Sequence, residues 1–401
     1  MSATPYEDLA QTLEKDGPRK AFDQLADTLR AQKKYPQLFE ALLMRKRHEL
    51  GLPLLGTDTF RDLPEALQAQ VEDYYVAVCR EIGTLYLGSG DIAGAWPYFR
   101  AIDEPALVAE AIDRWQPPEA NDSQSYDALG TSTTDTIIDI ALNQGANPRR
   151  GYELVLSQHG VCRAITTIEH QLAQASGNAR EACGALLVRR LHTDLVASLK
   201  HDIRRREGDA PDENDIRKLL EGRQWLFEDH GYHIDLSHLQ SVVRVSAGLK
   251  DKEAVGLALQ MTEYGRKLPR DFQTNDRPPF DDFYNDYRIF LQALLGIGVD
   301  GAIRYYTQKA DRASAEEDGK HFPGEILVHL LWRVGRVEDA IAAYLKYLKS
   351  FRGALTASPS LFELSETAGD YTQMLELAKE RDDLLHYTAA LVRGAGVKTS
   401  D

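Results

Sequence analysis

The sequence predicts an all-α protein built of antiparallel helix pairs, and three observations lead to that fold class. Apolar residues recur with the 3.6-residue period of a helix along almost the whole chain. Strand signals are nearly missing, since no alternating run of β-branched residues is closed by an Asn-Gly or Asp-Gly turn. With 43% hydrophobic and 27% charged residues, the composition is that of an ordinary globular protein.

The run LYLGSGDIAGAWPYF and the residues just before it predict a helix, a tight turn and a second helix packed back on the first. The positions that carry this pattern are Ile82, Gly83, Tyr86, Gly90, Ala95 and Phe99. Gly83 and Ala95 are small where the two helices must approach closely, while the two aromatic side chains fill the groove between them. Gly90 allows the chain to turn.

These six positions resemble the small and aromatic positions of a tetratricopeptide repeat. A second copy, GRVEDAIAAYLKYL, places Gly335, Ala340 and Tyr344 at the same offsets. Weaker copies are GVDGAIRYY and GDYTQMLELA, so the resemblance covers about a third of the chain. The resemblance implies helix pairs stacked as a right-handed α-solenoid, whose concave face binds a protein or a peptide.

Composition divides the chain into four predicted regions. Residues 1–115 form an N-terminal tetratricopeptide-like block, and residues 116–134, rich in Pro, Ser, Thr, Asn and Gly, form a linker. Residues 135–267 form a central helical block that holds seven of the eleven histidines. Residues 268–401 form a C-terminal tetratricopeptide-like block. The longest predicted helix, 178–206, lies in the central block.

Charge and apolar patterning restrict the expected partners and location. A formal net charge of −15 repels phosphate backbones and anionic lipid, so neither nucleic acid nor a membrane is an expected partner. No apolar run approaches the ~20 residues that span a bilayer, and the N-terminus has no secretory-signal pattern. We therefore expect a cytoplasmic protein, in which Cys79, Cys162 and Cys183 are buried, reduced thiols.

The segment DHGYHIDLSH offers a candidate metal site. Its spacing, H-x2-H-x-D-x2-H, comprises His230, His233, Asp235 and His238. Asp235 is expected to cap the next helix, which places His238 in a first turn where neutral imidazole, the metal-binding form, is favoured. Such a ligand set suits zinc or ferrous iron. The alternative is that His233 and His238 hydrogen-bond a loop into the helix stack.

The aromatic helix FDDFYNDYRIFLQALL offers a candidate partner groove, in which Tyr284, Tyr287 and Arg288 would contact the partner. In a stacked helical array, aromatic and polar side chains on the concave face bind peptides. An aromatic stripe at helical spacing is more often core, so burial of these rings is the alternative. The GIGVDG run at 296–301 follows a predicted helix, not a strand, and is interpreted as an interhelical turn.

The sequence contains no motif of a common enzyme class. A phosphate loop, a GxSxG elbow, HExxH and paired CxxC are all absent. We therefore expect a non-catalytic scaffold that binds a protein or peptide partner on its concave face. The alternative is a helical metal-dependent enzyme or ligand-binding protein that uses the central histidines. No cofactor is expected other than zinc or iron at those histidines.

Overall fold

A computed structural model describes residues 4–55, 65–118, 132–171, 177–314 and 321–397. The elements in these ranges are helices, with no β-strand among them, which confirms the predicted all-α class. The chain divides into two compact units, Met1–His159 and Gly160–Asp401. Among the described helices, none combines the length and the apolarity that crossing a lipid bilayer would require.

The first unit consists of eight α-helices within the described ranges. They are α1 (Pro5–Asp16), α2 (Pro18–Ala31), α3 (Tyr35–Glu49), α4 (Glu65–Gly88), α5 (Ile92–Ala101), α6 (Ala106–Arg114), α7 (Thr133–Ile138) and α8 (Pro148–Gln158). A π-helical turn, Asp139–Asn143, continues α7. Consecutive helices pack against one another from α1 to α6, so the predicted succession of helix pairs is present.

The second unit contains the remaining described α-helices. They are α9 (Gly160–Thr166), α10 (Gly177–Glu207), α11 (Ile216–Leu220), α12 (Leu236–Ser246), α13 (Lys252–Gly265), α14 (Phe283–Leu294), α15 (Val299–Ser314), α16 (Phe322–Arg333), α17 (Val337–Tyr347), α18 (Leu361–Ala368), α19 (Thr372–Glu380) and α20 (Leu384–Val397). Shorter helical turns are the π-helical Thr167–Gln171 and the 3-10 helical Gln224–His230 and Arg270–Phe272. Helix α10 corresponds closely to the long helix predicted over 178–206.

The α4–α5 pair has the close contact that its spacing predicts. A Cβ atom on Gly83 would lie 2.5 Å from Cε2 of the Phe99 ring, so only glycine fits there without a shift. Ala95 and Phe99 are fully buried. Gly90 makes the turn with a φ of 82°, in the left-handed region that glycine adopts without strain.

The α16–α17 pair repeats this arrangement at the offsets that the sequence indicates. Gly335 turns the chain with a φ of 79°, and Ala340 and Tyr344 are buried against α16. A Cβ on Gly324 would lie 2.5 Å from Cβ of Tyr347. Similarly, α14 and α15 are joined by a turn in which Gly296 has a φ of 83°, which confirms the interpretation of the GIGVDG run.

The predicted four-region division differs from the two compact units. The unit boundary after His159 lies inside the predicted central block 135–267. Most of the predicted linker 116–134, namely residues 119–131, lies outside the described residues. The four-region division therefore stays a prediction.

The three cysteines do not share one environment. Cys79 and Cys183 are buried, as predicted, and the three cysteines are not joined by disulfides. Cys162 is exposed, so the prediction is wrong at that position. Helix α9 is short and buries only Ala164 and Ile165, so its other side chains, Cys162 among them, are directed outward.

Candidate binding cavity

His233 lies in a buried site formed by two other helices. Its side chain is 3% exposed, and its Nδ1 forms a hydrogen bond with the Tyr264 hydroxyl at 3.1 Å. The backbone N–H of His233 donates to the same hydroxyl oxygen at 2.9 Å. Its Nε2 faces the Asp202 carboxylate at 3.4 Å. Burial lowers the pKa of His233, so the neutral ring fixes this loop on α10 and α13.

Of the other three predicted metal ligands, Asp235 and His230 have partners of their own. Asp235 caps α12, as predicted, with Oδ1 accepting the backbone N–H of Ser237 at 2.8 Å and of His238 at 3.2 Å. His230 packs edge-on against Phe272, with ring centroids 5.7 Å apart. The described residues contain no group of three or more His, Cys, Asp or Glu side chains placed to hold a metal ion.

The structure therefore does not assemble His230, His233, Asp235 and His238 into a metal site. The physical reason is that two of the four already have other partners. Asp235 uses its carboxylate on the first turn of α12, and His233 uses its ring nitrogens on Tyr264 and Asp202. Of the alternative in which His233 and His238 hydrogen-bond a loop into the helix stack, the structure shows the part that concerns His233.

The predicted groove residues on α14 are mostly core. Tyr284 is buried, and its ring covers Gly265 so closely that a Cβ there would lie 2.3 Å away. Burial raises the pKa of Tyr284 to about 12. Arg288 is half-buried and donates to Asn285 on its own helix at 3.3 Å. Tyr287, itself buried, lines a cavity.

That cavity, of about 500 Å³, lies in the second unit and is bordered by α10, α12, α14 and α16. We call it the basic cavity. Its cationic wall residues are Arg180, Arg244, Lys250, Arg277 and Arg333. Its rings are Phe280, Tyr287, Phe290, Phe322, His329 and Trp332. Of the described residues that line it, Glu181 alone is acidic. The wall therefore has the opposite sign to the chain as a whole, whose net charge is −15.

Arg333 is the most deeply placed cation of the basic cavity. Its guanidinium donates to the backbone carbonyls of Ala247, at 3.3 Å, and of Leu249. Within the described residues no carboxylate lies at ion-pair distance from the Arg333 guanidinium. Burial lowers the pKa of Arg333, and the negative charge of Glu181 only partly offsets that shift. A buried cation without a paired anion is costly, so an incoming anion would be stabilised here.

Glu181 acts on Arg333 only at a distance, because its carboxylate is bonded to the backbone of another segment. Its Oε1 accepts the backbone N–H groups of Lys250, at 2.7 Å, and of Asp251, at 2.8 Å. These bonds hold the turn between α12 and α13 against α10. The single acidic group of the wall is thus part of the scaffold of the cavity.

Two further arginines of the wall are positioned on aromatic faces. The guanidinium carbon of Arg277 lies 3.5 Å from the centroid of the Phe322 ring. Stacking of this kind orients a guanidinium and leaves its N–H edge free for an acceptor. Arg244 lies 5.0 Å from the Phe283 centroid and pairs with Asp276 at 2.7 Å. Among the described residues Arg277 has no ion-pair partner, whereas the charge of Arg244 is paired with that of Asp276.

The connection between α13 and α14, residues 266–282, supplies Arg277 and Phe280 to the wall. The rings of Phe280 and Tyr287 stack in parallel with centroids 3.9 Å apart and planes 6° from each other. This stacking joins the connection to α14. The connection has little regular structure, so its conformation depends on such contacts.

A buried ion pair also holds this connection. The Lys309 ammonium donates to the backbone carbonyl of Pro279 at 2.6 Å and to the Asp281 carboxylate at 2.9 Å. It also donates to the fully buried Asp286 carboxylate at 2.8 Å. Asp286 accepts the Tyr305 hydroxyl at 2.6 Å as well. Burial raises the pKa of Asp286, while the bond from Lys309 opposes that rise.

A second cavity, of about 310 Å³, adjoins the basic cavity and shares a wall with it. The shared residues are Leu249, Lys250, Trp332 and Arg333. Lys252 adds another cation to the second cavity. Trp332 and Arg333 thus contribute to both cavities.

Sequence reasoning missed the basic cavity because its wall comes from segments far apart in the chain. Arg180, Arg244, Arg277 and Arg333 have no common motif and no common period. The nearest signal was Arg277, which stands beside two prolines just before the predicted aromatic helix FDDFYNDYRIFLQALL.

Comparison with known proteins leaves the family open. The chain matches no protein-family model, no curated protein and no solved structure. The tetratricopeptide resemblance therefore rests on the residue pattern and on the helix pairs described above. The function has to be argued from the geometry and charge of the basic cavity.

Proposed function

We propose that this protein is a non-catalytic helical scaffold whose second unit binds an acidic peptide segment of a protein partner in the basic cavity. One observation carries the proposal. Five cations and a single carboxylate line a cavity in a chain of net charge −15. A local field opposite to that of the whole protein favours an anionic ligand and directs it to this surface.

The chemistry of the wall supports a peptide with both acidic and apolar side chains. Arg333 and Arg277 offer guanidinium groups that have no ion-pair partner in the described part of the chain, and such groups pair well with carboxylates. The rings of the wall offer apolar contact area to side chains such as Leu or Phe. The two adjoining cavities suit an extended chain better than a compact small molecule.

The proposal keeps the repeat architecture predicted from the sequence. The α4–α5 and α16–α17 pairs support it, because each has a left-handed glycine at the turn and a buried alanine and aromatic residue beyond it. We infer that the helix pairs within each unit stack as tetratricopeptide-like units of a right-handed α-solenoid. Partner binding by an array of this kind needs no catalytic group.

The test is calorimetric titration of the full-length protein with a short synthetic peptide of Glu, Asp, Leu and Phe. A matched peptide with Lys in place of the acidic residues is the control ligand. We expect the acidic peptide to bind more tightly and to lose affinity as salt is added, since salt screens the charges involved. Equal binding of the two peptides, or binding of neither, would overturn the proposal.

Matched variants locate the binding site. Arg277→Glu should weaken acidic-peptide binding about tenfold or more, a change of about 1.4 kcal/mol or more. Arg304→Glu makes the same change of net charge at an exposed position of α15 that does not line the basic cavity. It should leave the affinity nearly unchanged. An equal loss of affinity in both variants would show that the peptide responds to the net charge of the protein and not to the basic cavity.

A further inference from the structure

One face of α16 runs along the wall of the basic cavity. Phe322, Ile326, His329 and Arg333 line the cavity, and the last three lie four, seven and eleven positions after the first. With about 3.6 residues in each helical turn, these four positions fall on one face of the helix. We call them the α16 stripe. It extends over the whole of α16, from its first residue to its last.

Each end of the α16 stripe holds a guanidinium group that has no ion-pair partner among the described residues. At the N-terminal end, the guanidinium carbon of Arg277 lies 3.5 Å from the centroid of the Phe322 ring. At the C-terminal end, the guanidinium of Arg333 donates to the backbone carbonyls of Ala247 and Leu249. These contacts hold each charge at its own end of the stripe.

The two ends of the α16 stripe are too far apart for one anionic group to serve both. Eleven positions separate Phe322 from Arg333, and at about 1.5 Å of rise per residue this is about 16 Å along the helix axis. A carboxylate or phosphate oxygen lies only about 3 Å from the nitrogen that donates to it. A ligand that pairs with both guanidinium groups therefore needs two anionic groups.

The middle of the α16 stripe carries no charge at neutral pH. Ile326 is apolar, and the ring of His329 lies parallel to that of Phe290 with centroids 6.0 Å apart. Burial lowers the pKa of His329 to about 4, so the imidazole is neutral at pH 7. Such a surface favours an apolar side chain of the ligand between the two anionic groups.

We propose that the basic cavity recognises a peptide by the spacing of two acidic side chains with an apolar side chain midway between them. An extended peptide rises about 3.3 Å per residue, so four positions cover about 13 Å and the acidic side chains reach the remaining distance. Residues four positions apart, and the residue midway, lie on the same side of an extended chain. This inference rests on the proposed function and adds the order of residues in the ligand.

Two isomeric peptides test the spacing. Both contain the same residues, but two glutamates stand four positions apart around a leucine in the first and next to each other in the second. In calorimetric titrations of the full-length protein, the spaced peptide should bind about fivefold more tightly or better, because it alone pairs with both ends. Equal affinity of the isomers would overturn the spacing, and the proposed function would stand if both still bind more tightly than the lysine peptide. Binding of neither isomer would contradict the proposed function and the spacing together.

A variant of the protein tests the two ends separately. In the parent, replacing either glutamate of the spaced peptide by glutamine should weaken binding about fivefold or more. Arg277→Gln removes one end of the site, so one of the two replacements should then have almost no further effect while the other keeps its full effect. Arg304→Gln, at the exposed position of α15 outside the cavity, should leave both effects unchanged.

The variant is placed at Arg277 because that side chain is exposed, so its replacement should leave the fold intact, as circular dichroism would show. Arg333 is kept, because its bonds to the carbonyls of Ala247 and Leu249 also hold the turn between α12 and α13. If both glutamates keep their full effect in Arg277→Gln, or if both lose it, recognition by two separate ends is wrong.

Discussion

In both α4–α5 and α13–α14 an aromatic ring packs on a glycine of the partner helix. The sequence predicts the contact in α4–α5 but not the one in α13–α14. In α4–α5, Gly83 lies under Phe99, with 2.5 Å from a hypothetical Cβ to the ring. In α13–α14, Gly265 lies under Tyr284, with 2.3 Å to the ring. A short turn joins the first pair, and the connection 266–282 joins the second.

The difference shows how connection length affects both prediction and function. A short turn fixes the offset between the two contacting residues, so the spacing of Gly83 and Phe99 reveals their contact. A long connection leaves that offset free, and the contact of Gly265 with Tyr284 then has no local signature. The same connection brings Arg277 to the basic cavity, which a tight turn would not do.

The largest expected effect concerns the anchor of the long connection. Asp286→Ala leaves the Lys309 ammonium without its buried partner, and breaking a buried pair in this way costs about 3–5 kcal/mol. Chemical denaturation should show this loss in the free energy of unfolding. Asp286→Ala combined with Lys309→Met should recover part of it. A loss below about 1 kcal/mol in the single variant would mean that solvent replaces the pair.

The next effect is a pH dependence at the cavity wall. Burial lowers the pKa of His329 to about 4, from 6.5 for the ordinary imidazole. As the pH falls below 6.5, His329 is protonated in the unfolded chain but stays neutral in the folded protein. The contribution of His329 to the free energy of unfolding is therefore fully present above pH 6.5 and is lost as the pH falls toward 4. The loss due to this group is at most about 3 kcal/mol.

His329→Phe isolates this contribution, because a phenyl ring can keep the parallel contact with Phe290. Unfolding should be measured from pH 7 to pH 4 in both proteins. The variant should lose less stability over that range than the parent. His192 and His233, whose pKa values burial also lowers, act in the same direction in both proteins. If the free energy of unfolding fell equally with pH in both proteins, His329 would be protonated in the folded protein without loss of stability.

The smallest effects compare the two glycines directly. Gly83→Ala and Gly265→Ala each force a methyl group into a ring, which should cost about 1–3 kcal/mol. Gly88→Ala and Gly256→Ala, on the same helices, meet nothing within 4 Å and should be neutral or stabilising by about 0.5–1 kcal/mol. Thermal unfolding of all four variants should show lower melting temperatures for Gly83→Ala and Gly265→Ala than for Gly88→Ala and Gly256→Ala. A tolerated Gly83→Ala would remove the support for the repeat assignment at α4–α5.

The candidate sites show why side-chain partners are harder to predict than helices. The cap at Asp235 was predicted because its partners are two and three residues away. The partners of His233, Tyr264 and Asp202, lie about thirty residues away on two different helices, so its hydrogen bonds left no local pattern. Burial of Tyr284 likewise depends on Gly265 across the long connection.

The sequence by itself determined the all-α class, the long helix α10, the α4–α5 and α16–α17 pairs and the cap at Asp235. These features rest on interactions between residues close in the chain, which helical periodicity, glycine turns and capping side chains record directly. Only the tertiary structure decided the use of His233 in the core and the assembly of Arg180, Arg277 and Arg333 around one cavity. Such contacts join residues tens to more than a hundred positions apart, and no sequence period specifies which helix faces meet.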